Sequence, residues 1–322
     1  MKNYKILSFC FFIQLFASFS IFTENSGFHI NVSPFFGVKN GTQGEYVYID
    51  KDKKLSQLDW KMEKLFYLGA ESKLLYKNFF FTLSGAGYFP KNSGTMIDSD
   101  WLGIGTGFSE KTNISYNENK IDNGFFLTTD AGYNFPIFSK LSLKISLGFE
   151  YNYYFFKASN GYGWYGDRST AYYDKNAIFY DKGELGSITL ERKDFSMLLK
   201  LNPVFYITKY VELSPYFQTG IFSFFKEIDN HLPVNATSGG VYYYDEGSCY
   251  FKTNRFGMDL TGNISKVFSV NFKYSYTFTT RFLADLYQNT ESEEGPFKKD
   301  SIKSAFDQSY HNFAVGLIFK LF

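Results

Sequence analysis

Cysteine is nearly missing from this chain. Of 322 residues only Cys10 and Cys249 are cysteine, and Cys10 lies in an apolar amino-terminal stretch expected to be removed. One cysteine then remains, so an intrachain disulfide is excluded. Histidine is almost as scarce: His29, His231 and His311 are the full set. None has metal-ligand spacing to another His or Cys, so no zinc site and no metal are expected. Charge of either sign barely prevails, with a net +1 at pH 7, which gives no case for a nucleic-acid partner. A Gly-rich phosphate loop and a Ser-centred nucleophile elbow are both lacking. Past the amino terminus no uncharged apolar run reaches the roughly 18 residues of a spanning helix.

Aromatic residues are abundant instead. They make up 22% of the chain, within a hydrophobic share of 44%. Phe and Tyr favour strands. At the amino terminus Lys2 and Lys5 precede the apolar run Ile6 to Phe16, followed by the small residues Ala17, Ser18 and Ser20. Basic, then apolar, then small is the layout of a secretory signal peptide. A membrane-anchoring helix is disfavoured because the run is short and Gln14 interrupts it. Cleavage is expected near Ser20, with residues 1–20 as signal and 21–322 as one mature domain, since no linker or composition shift divides it.

An exported chain this apolar is either soluble or held in a membrane by strands, and its periodicity decides between them. From Leu141 to Phe155 the odd positions are apolar, and Ser142, Lys144, Ser146, Gly148, Glu150 and Asn152 lie between them. Phe268 to Phe278 repeats the pattern against Ser269, Asn271, Lys273, Ser275 and Thr277. Alternation sustained this long matches a tilted strand crossing a bilayer, apolar outside and polar inside. Short turns near Lys77, residues 134–140, Lys209 and Ile264 alternate with longer connections at 90–120, 156–186, 229–248 and 288–306, and a tighter one near Asp50. That asymmetry predicts an all-β fold: a ten-stranded antiparallel transmembrane β-barrel with long extracellular loops, in a bacterial outer membrane. The closing strand ends on Phe322 and resembles the signal read by the barrel assembly machinery.

Two polar constellations stand out. Asp98 and Asp100, in Gly94-Thr95-Met96-Ile97-Asp98-Ser99-Asp100-Trp101, share one face of an extended chain. Two carboxylates so close do not both ionise readily, and such a pair can hold and activate a water. Taken alone, the stretch also reads as a solvated Gly-Ser-Asp loop. Far downstream, Asp229 and His231 have the same spacing, and a carboxylate beside an imidazole fixes its tautomer and raises its basicity. Both pairs fall at outer strand ends, which converge on one rim of a barrel. Phase raises a conflict. Leu213, Phe217 and Ile221 read as lipid-facing, yet Glu227, Asp229 and His231 have the same parity, so a β-bulge is expected within Gly220 to Phe225.

These segments are similar to those of the omptin family of outer-membrane proteases. The Asp98-Ser99-Asp100-Trp101 and Asp229-Asn230-His231 segments resemble the family's two catalytic stretches. Lys54-Leu55-Ser56-Gln57-Leu58-Asp59-Trp60-Lys61 resembles its second strand, and Gly44-Glu45-Tyr46-Val47-Tyr48 sits where it carries an acidic specificity residue. The resemblance spans nearly the whole mature chain, in the right order. It implies an endopeptidase groove at the outer rim, facing the cell exterior, with His231, oriented by Asp229, taking a proton from a water that Asp98 and Asp100 help position. It also implies that Glu45 and Glu227, the latter standing for the usual Asp, bind the basic side chain of peptide or protein substrates. No cofactor is implied beyond an outer-membrane glycolipid. The family's lipopolysaccharide-clamp positions align with Phe149, Tyr151, Tyr153 and Asp194, and none keeps the expected side chain. A longer family segment after the first pair is reduced here to Phe108-Ser109-Glu110.

The expected function is therefore cleavage of peptides beside Arg or Lys. The alternative from another class is a catalytically silent barrel acting as an adhesin or surface structural protein. A solute porin is disfavoured because about ten strands leave little open lumen.

Overall fold

A strand with alternating side chains presents two unlike faces, and closing the sheet on itself satisfies both. The structure, a computed structural model, describes residues 27–49, 52–103, 107–166, 178–234, 240–290 and 297–321; the expected signal peptide lies outside them. One sheet holds thirteen strands: β1 Phe28–Ile49, β2 Lys53–Tyr76, β3 Phe79–Tyr88, β4 Lys91–Asp100, β5 Asn113–Phe138, β6 Leu141–Tyr165, β7 Ile178–Tyr180, β8 Ser187–Tyr206, β9 Val211–Leu232, β10 Val241–Cys249, β11 Thr253–Asn263, β12 Phe268–Thr290 and β13 Phe297–Leu321. Pairing is antiparallel, and β1 pairs with both β2 and β13, so the ring closes.

The thirteen segments make ten staves. β3 and β4 are two halves of one stave, since both pair with β2 and β5. β10 and β11 are halves of another, between β9 and β12. β7 adds only to β6. Each break has a local cause. Pro90, between β3 and β4, has no N–H to donate to a ladder. Between β10 and β11 the chain passes through Phe251 at φ 56°, and Phe251 N donates to Gly220 O at 2.7 Å.

The alternating rows resolve as expected. Phe36, Leu68, Leu83, Leu127, Phe149, Leu201, Phe272 and Phe313 are exposed and form an outward apolar belt, whereas Ser142, Ser146, Glu150 and Asn152 are buried inside. No helix among the described residues is long and apolar enough to cross a membrane.

Above the belt the strands run further than alternation suggested. Much of 90–120, expected as a connection, is strand: β4 reaches Asp100 and β5 begins at Asn113. β12 and β13 likewise extend into 288–306, and β9 and β10 into 229–248. His311 lies well inside β13. Beyond the lipid the outward face meets water, so the apolar row fades while backbone pairing continues. Parts of the connections expected at 156–186, 229–248 and 288–306, and near Asp50, lie outside the described residues.

Within this upper section, large side chains point inward and pack together. Trp60, Met62, Met96, Tyr154, Phe156 and Leu190 are fully buried in one cluster, and Phe225, Phe282 and Phe306 form a second. They floor the rim, as filled small barrels do.

Candidate active site at the barrel rim

The phase conflict in β9 is resolved by a bulge. Ser214, Gln218 and Gly220 are buried on even positions, then Ser223, Phe225, Glu227 and Asp229 on odd ones. The switch falls where Met197 pairs with Phe222 but Leu198 pairs with Gly220, leaving Ile221 unopposed. One extra residue in a strand turns every later side chain to the other face. The bulge therefore converts a lipid-facing row into an inward row of Glu227, Asp229 and His231.

At the top of that row His231 Nε2 and Asp229 Oδ2 are 2.7 Å apart. Asp229 is nearly sealed, with its side chain 2% exposed, while the imidazole stands 38% exposed at the opening. Tyr243, paired with Asp229 from β10, lies edge-on to the ring at 5.3 Å. With Nε2–H donated to the carboxylate, a neutral ring carries its lone pair on Nδ1. Asp98 and Asp100 come from the end of β4, where Asn113 Nδ2 donates to Asp100 Oδ2 at 3.0 Å.

Although Asp98 and His231 are 133 positions apart in the chain (231 − 98), each lies within the other's field. All four groups sit above the apolar belt. Burial raises the Asp98 carboxyl well above the usual range, Asp100 and Asp229 raise it further, and His231 opposes them. For His231 burial works against the charge, but Asp229, through its field and its hydrogen bond, together with Asp98 and Asp100, pushes the ring up to about 9.

Beside this pair lies a buried acidic cluster. Arg192, Glu227 and Asp245 occupy one level of three neighbouring strands, β8, β9 and β10, in direct register. Glu45 approaches from β1. Oxygens of Glu45, Glu227 and Asp245 lie within 4.8 Å of one another. Arg192 Nη1 is 2.8 Å from Glu227 Oε1, and Arg192 Nε donates to Asp194 Oδ1 at 2.9 Å. Burial raises Glu45 well above the carboxylate range, helped by Asp229, Glu227 and Asp245 and opposed by Arg192. Burial also lifts Glu227 to about 8 against the pull of Arg192. Three oxygen donors of this kind suit a hard cation, but Mg²⁺ or Ca²⁺ takes about six or more ligands, and Arg192 already places a positive charge beside them.

The six residues singled out from the sequence thus fall into two groups within each other's field: Asp98, Asp100, Asp229 and His231, and Glu45 with Glu227. Sequence reasoning missed Arg192 and Asp245. Asp245 lies in a Tyr-rich stretch that reads as a loop, and nothing local marks it. Asp194, aligned with a lipid-clamp position, faces inward and binds Arg192, because the buried row of β8 is the even one. Phe149, Tyr151 and Tyr153 are on the outward row.

A closed ten-stave ring with an outward apolar belt and a polar site sunk into one rim defines a bacterial outer-membrane β-barrel. The chain belongs to the Omptin family, whose model matches residues 26–321. Its fold is that of the outer membrane protease OmpT from Escherichia coli, with a TM-score of 0.78 at 16% identity over 92% of this chain and 99% of that one. The outer membrane protein OprG from Pseudomonas aeruginosa superposes at a TM-score of 0.34 and 12% identity, over 92% of this chain and 96% of OprG. By sequence alone, no curated protein matches the chain.

Proposed function

We propose that this protein is an outer-membrane endopeptidase that cleaves peptides and proteins beside Arg or Lys, using a water activated between the His231–Asp229 pair and the Asp98–Asp100 pair. The observation that carries this reading is the 2.7 Å contact of His231 with a buried Asp229, with Asp98 in the same field. A water set between the two pairs gives a proton to His231 Nδ1 and its oxygen to the scissile carbonyl carbon. The imidazolium, stabilised by Asp229, then returns the proton to the leaving amine as the C–N bond breaks. Of the two carboxyls opposite, burial and the neighbouring Asp100 keep Asp98 protonated to higher pH than an ordinary carboxyl, so it donates a hydrogen bond to the water. Together they orient the water.

Selectivity for a basic side chain is the role proposed for Glu45 and Glu227 in the acidic cluster, whose carboxyl oxygens can accept from a guanidinium or ammonium group. An outer-membrane glycolipid is the proposed activator, packing against the outward Tyr151 and Tyr153, and insertion through the barrel assembly machinery completes this reading.

The test is a quenched fluorescent peptide carrying two adjacent basic residues, added to refolded protein and to intact cells displaying it. Cleavage is expected from both. His231→Ala should keep the heat-modifiable gel band of a folded barrel and lose about 10²–10⁴ in rate. A folded parent that cuts nothing would instead favour the silent surface barrel, and a His231→Ala variant that cuts at the parental rate would end the mechanism.

A further inference from the structure

Asp98 and Asp100 are neighbours on one row of β4, yet their surroundings differ. In register, Asp98 lies between Leu58 of β2 and Ser115 of β5, and Asp100 between Ser56 and Asn113 of the same two strands. Leu58 is buried, and its apolar side chain gives Asp98 nothing to bond. Ser115 is taken up elsewhere: its Oγ accepts from Asn117 Nδ2 at 3.0 Å, and it bonds the Tyr165 hydroxyl. Asp98 Oδ1 is buried and has no donor among the described residues.

Asp100 has one. Asn113 Nδ2 donates to its Oδ2 at 3.0 Å. Turning the carboxamide over would set its Oδ1 against a carboxyl oxygen, so the donor end is fixed. Asn113 is 4% exposed, and that Oδ1 has no donor among the described residues. A buried acceptor without a partner costs stability. The fold therefore gains little from this amide, and its contribution is the N–H it gives to Asp100. A donated N–H favours the charged form of a carboxyl, while burial favours the neutral form.

We propose that Asn113 is a positioning residue: by donating to Asp100 it makes that carboxyl the charged, fixed member of the pair and leaves the pair's proton on Asp98. It acts through Asp100 and does not need to touch the substrate. The inference deepens the endopeptidase reading and rests on it for the reaction, in which Asp98 donates to the attacking water and Asp100 accepts from it. Without Asn113 the proton would settle on either carboxyl, and the water would be held in two orientations, one of them unproductive.

The test uses the refolded full-length barrel. Asn113→Ala removes the donor. Asn113→Asp keeps the size of the side chain but puts an acceptor in place of the N–H. Each is expected to lower kcat for a dibasic peptide about tenfold or more, with KM changed less than about twofold. Asn113→Gln, which restores a carboxamide, should recover part of the loss. A purely structural amide would lower stability without separating kcat from KM. The second readout is the urea midpoint of Asn113→Ala, of Asp100→Asn and of the double variant. Residues that act as one unit give losses that do not add, so the double variant should unfold close to Asp100→Asn alone.

Parental kcat in Asn113→Asp would overturn the proposal, as would a loss carried by KM rather than kcat. Additive midpoints would do the same. Should Asn113→Ala fail to give the folded band, Asn113→Asp takes its place in both measurements. A parent that cuts no peptide, with midpoints that do not add, would uphold the assignment of Asn113 to Asp100 and reject the endopeptidase reading.

Discussion

Arg192 and Glu227 form an ion pair at 2.8 Å with both side chains fully excluded from solvent. Removing one partner of such a pair leaves the other buried and uncompensated, which costs about 3–5 kcal/mol. Arg192→Met strands both Glu227 and Asp194, so it should lower the stability of the refolded barrel by about that amount in urea titration. The double variant Arg192→Met with Glu227→Met should recover part of the loss, because it removes one of the stranded charges. A single variant as stable as the parent would mean that the pair holds nothing together.

Roles within the upper group separate kinetically. Asp229 holds the ring and stabilises its charge but does not touch the substrate, so Asp229→Asn should slow cleavage less than the roughly 10²–10⁴ expected for His231→Ala. Asp98→Asn should be severe if its carboxyl helps hold the attacking water, and the loss should appear in kcat more than in KM. An Asp98→Asn variant with parental kcat would remove that carboxyl from the reaction.

Activity and stability should run in opposite directions with pH. Burial opposes the charged form of His231, but Asp229, Asp98 and Asp100 prevail and raise it from 6.5 to about 9. A ring that must be neutral to accept a proton therefore becomes active as pH rises, and the limb of the rate profile should lie nearer 9 than 6.5, with its midpoint a property of the coupled groups. In Asp229→Asn the limb should move toward lower pH.

For folding the sign reverses. A raised imidazole contributes stability in full below its unfolded value of 6.5, and this is lost as pH climbs through about 9. Glu227, raised from 4.5 to about 8 chiefly by burial, also binds its proton more tightly in the folded state, so its effect is likewise lost as pH rises through that window. Urea midpoints should accordingly fall between pH 6 and pH 9, while kcat/KM increases. A rate that falls over the same range would exclude His231 as the base.

Much of this was legible in the chain because a strand's period is local. Leu141 to Phe155 and Phe268 to Phe278 alternate strictly enough to state which rows share a face, and the spacing of Asp229 and His231 puts them on one row. Even the bulge could be inferred, since Leu213 and Asp229 have the same parity but incompatible surroundings; Ile221 supplies the extra residue. Above the lipid that signal faded for a physical reason. Water on the outside of β4, β10 and the ends of β12 and β13 allows polar residues on both faces, so strands there look like loops.

What the sequence by itself determined is the class of fold, the two Asp- and His-bearing rows and their approach to one rim. All of these depend on contacts between residues one or two positions apart. Only the tertiary structure decided which charges meet. Arg192, Glu227 and Asp245 become neighbours through the register of three strands, and Glu45 reaches them only because the ring closes between β1 and β13. Register and closure are set by the whole ladder of pairings and the filling of the lumen, and no short stretch of chain encodes either one.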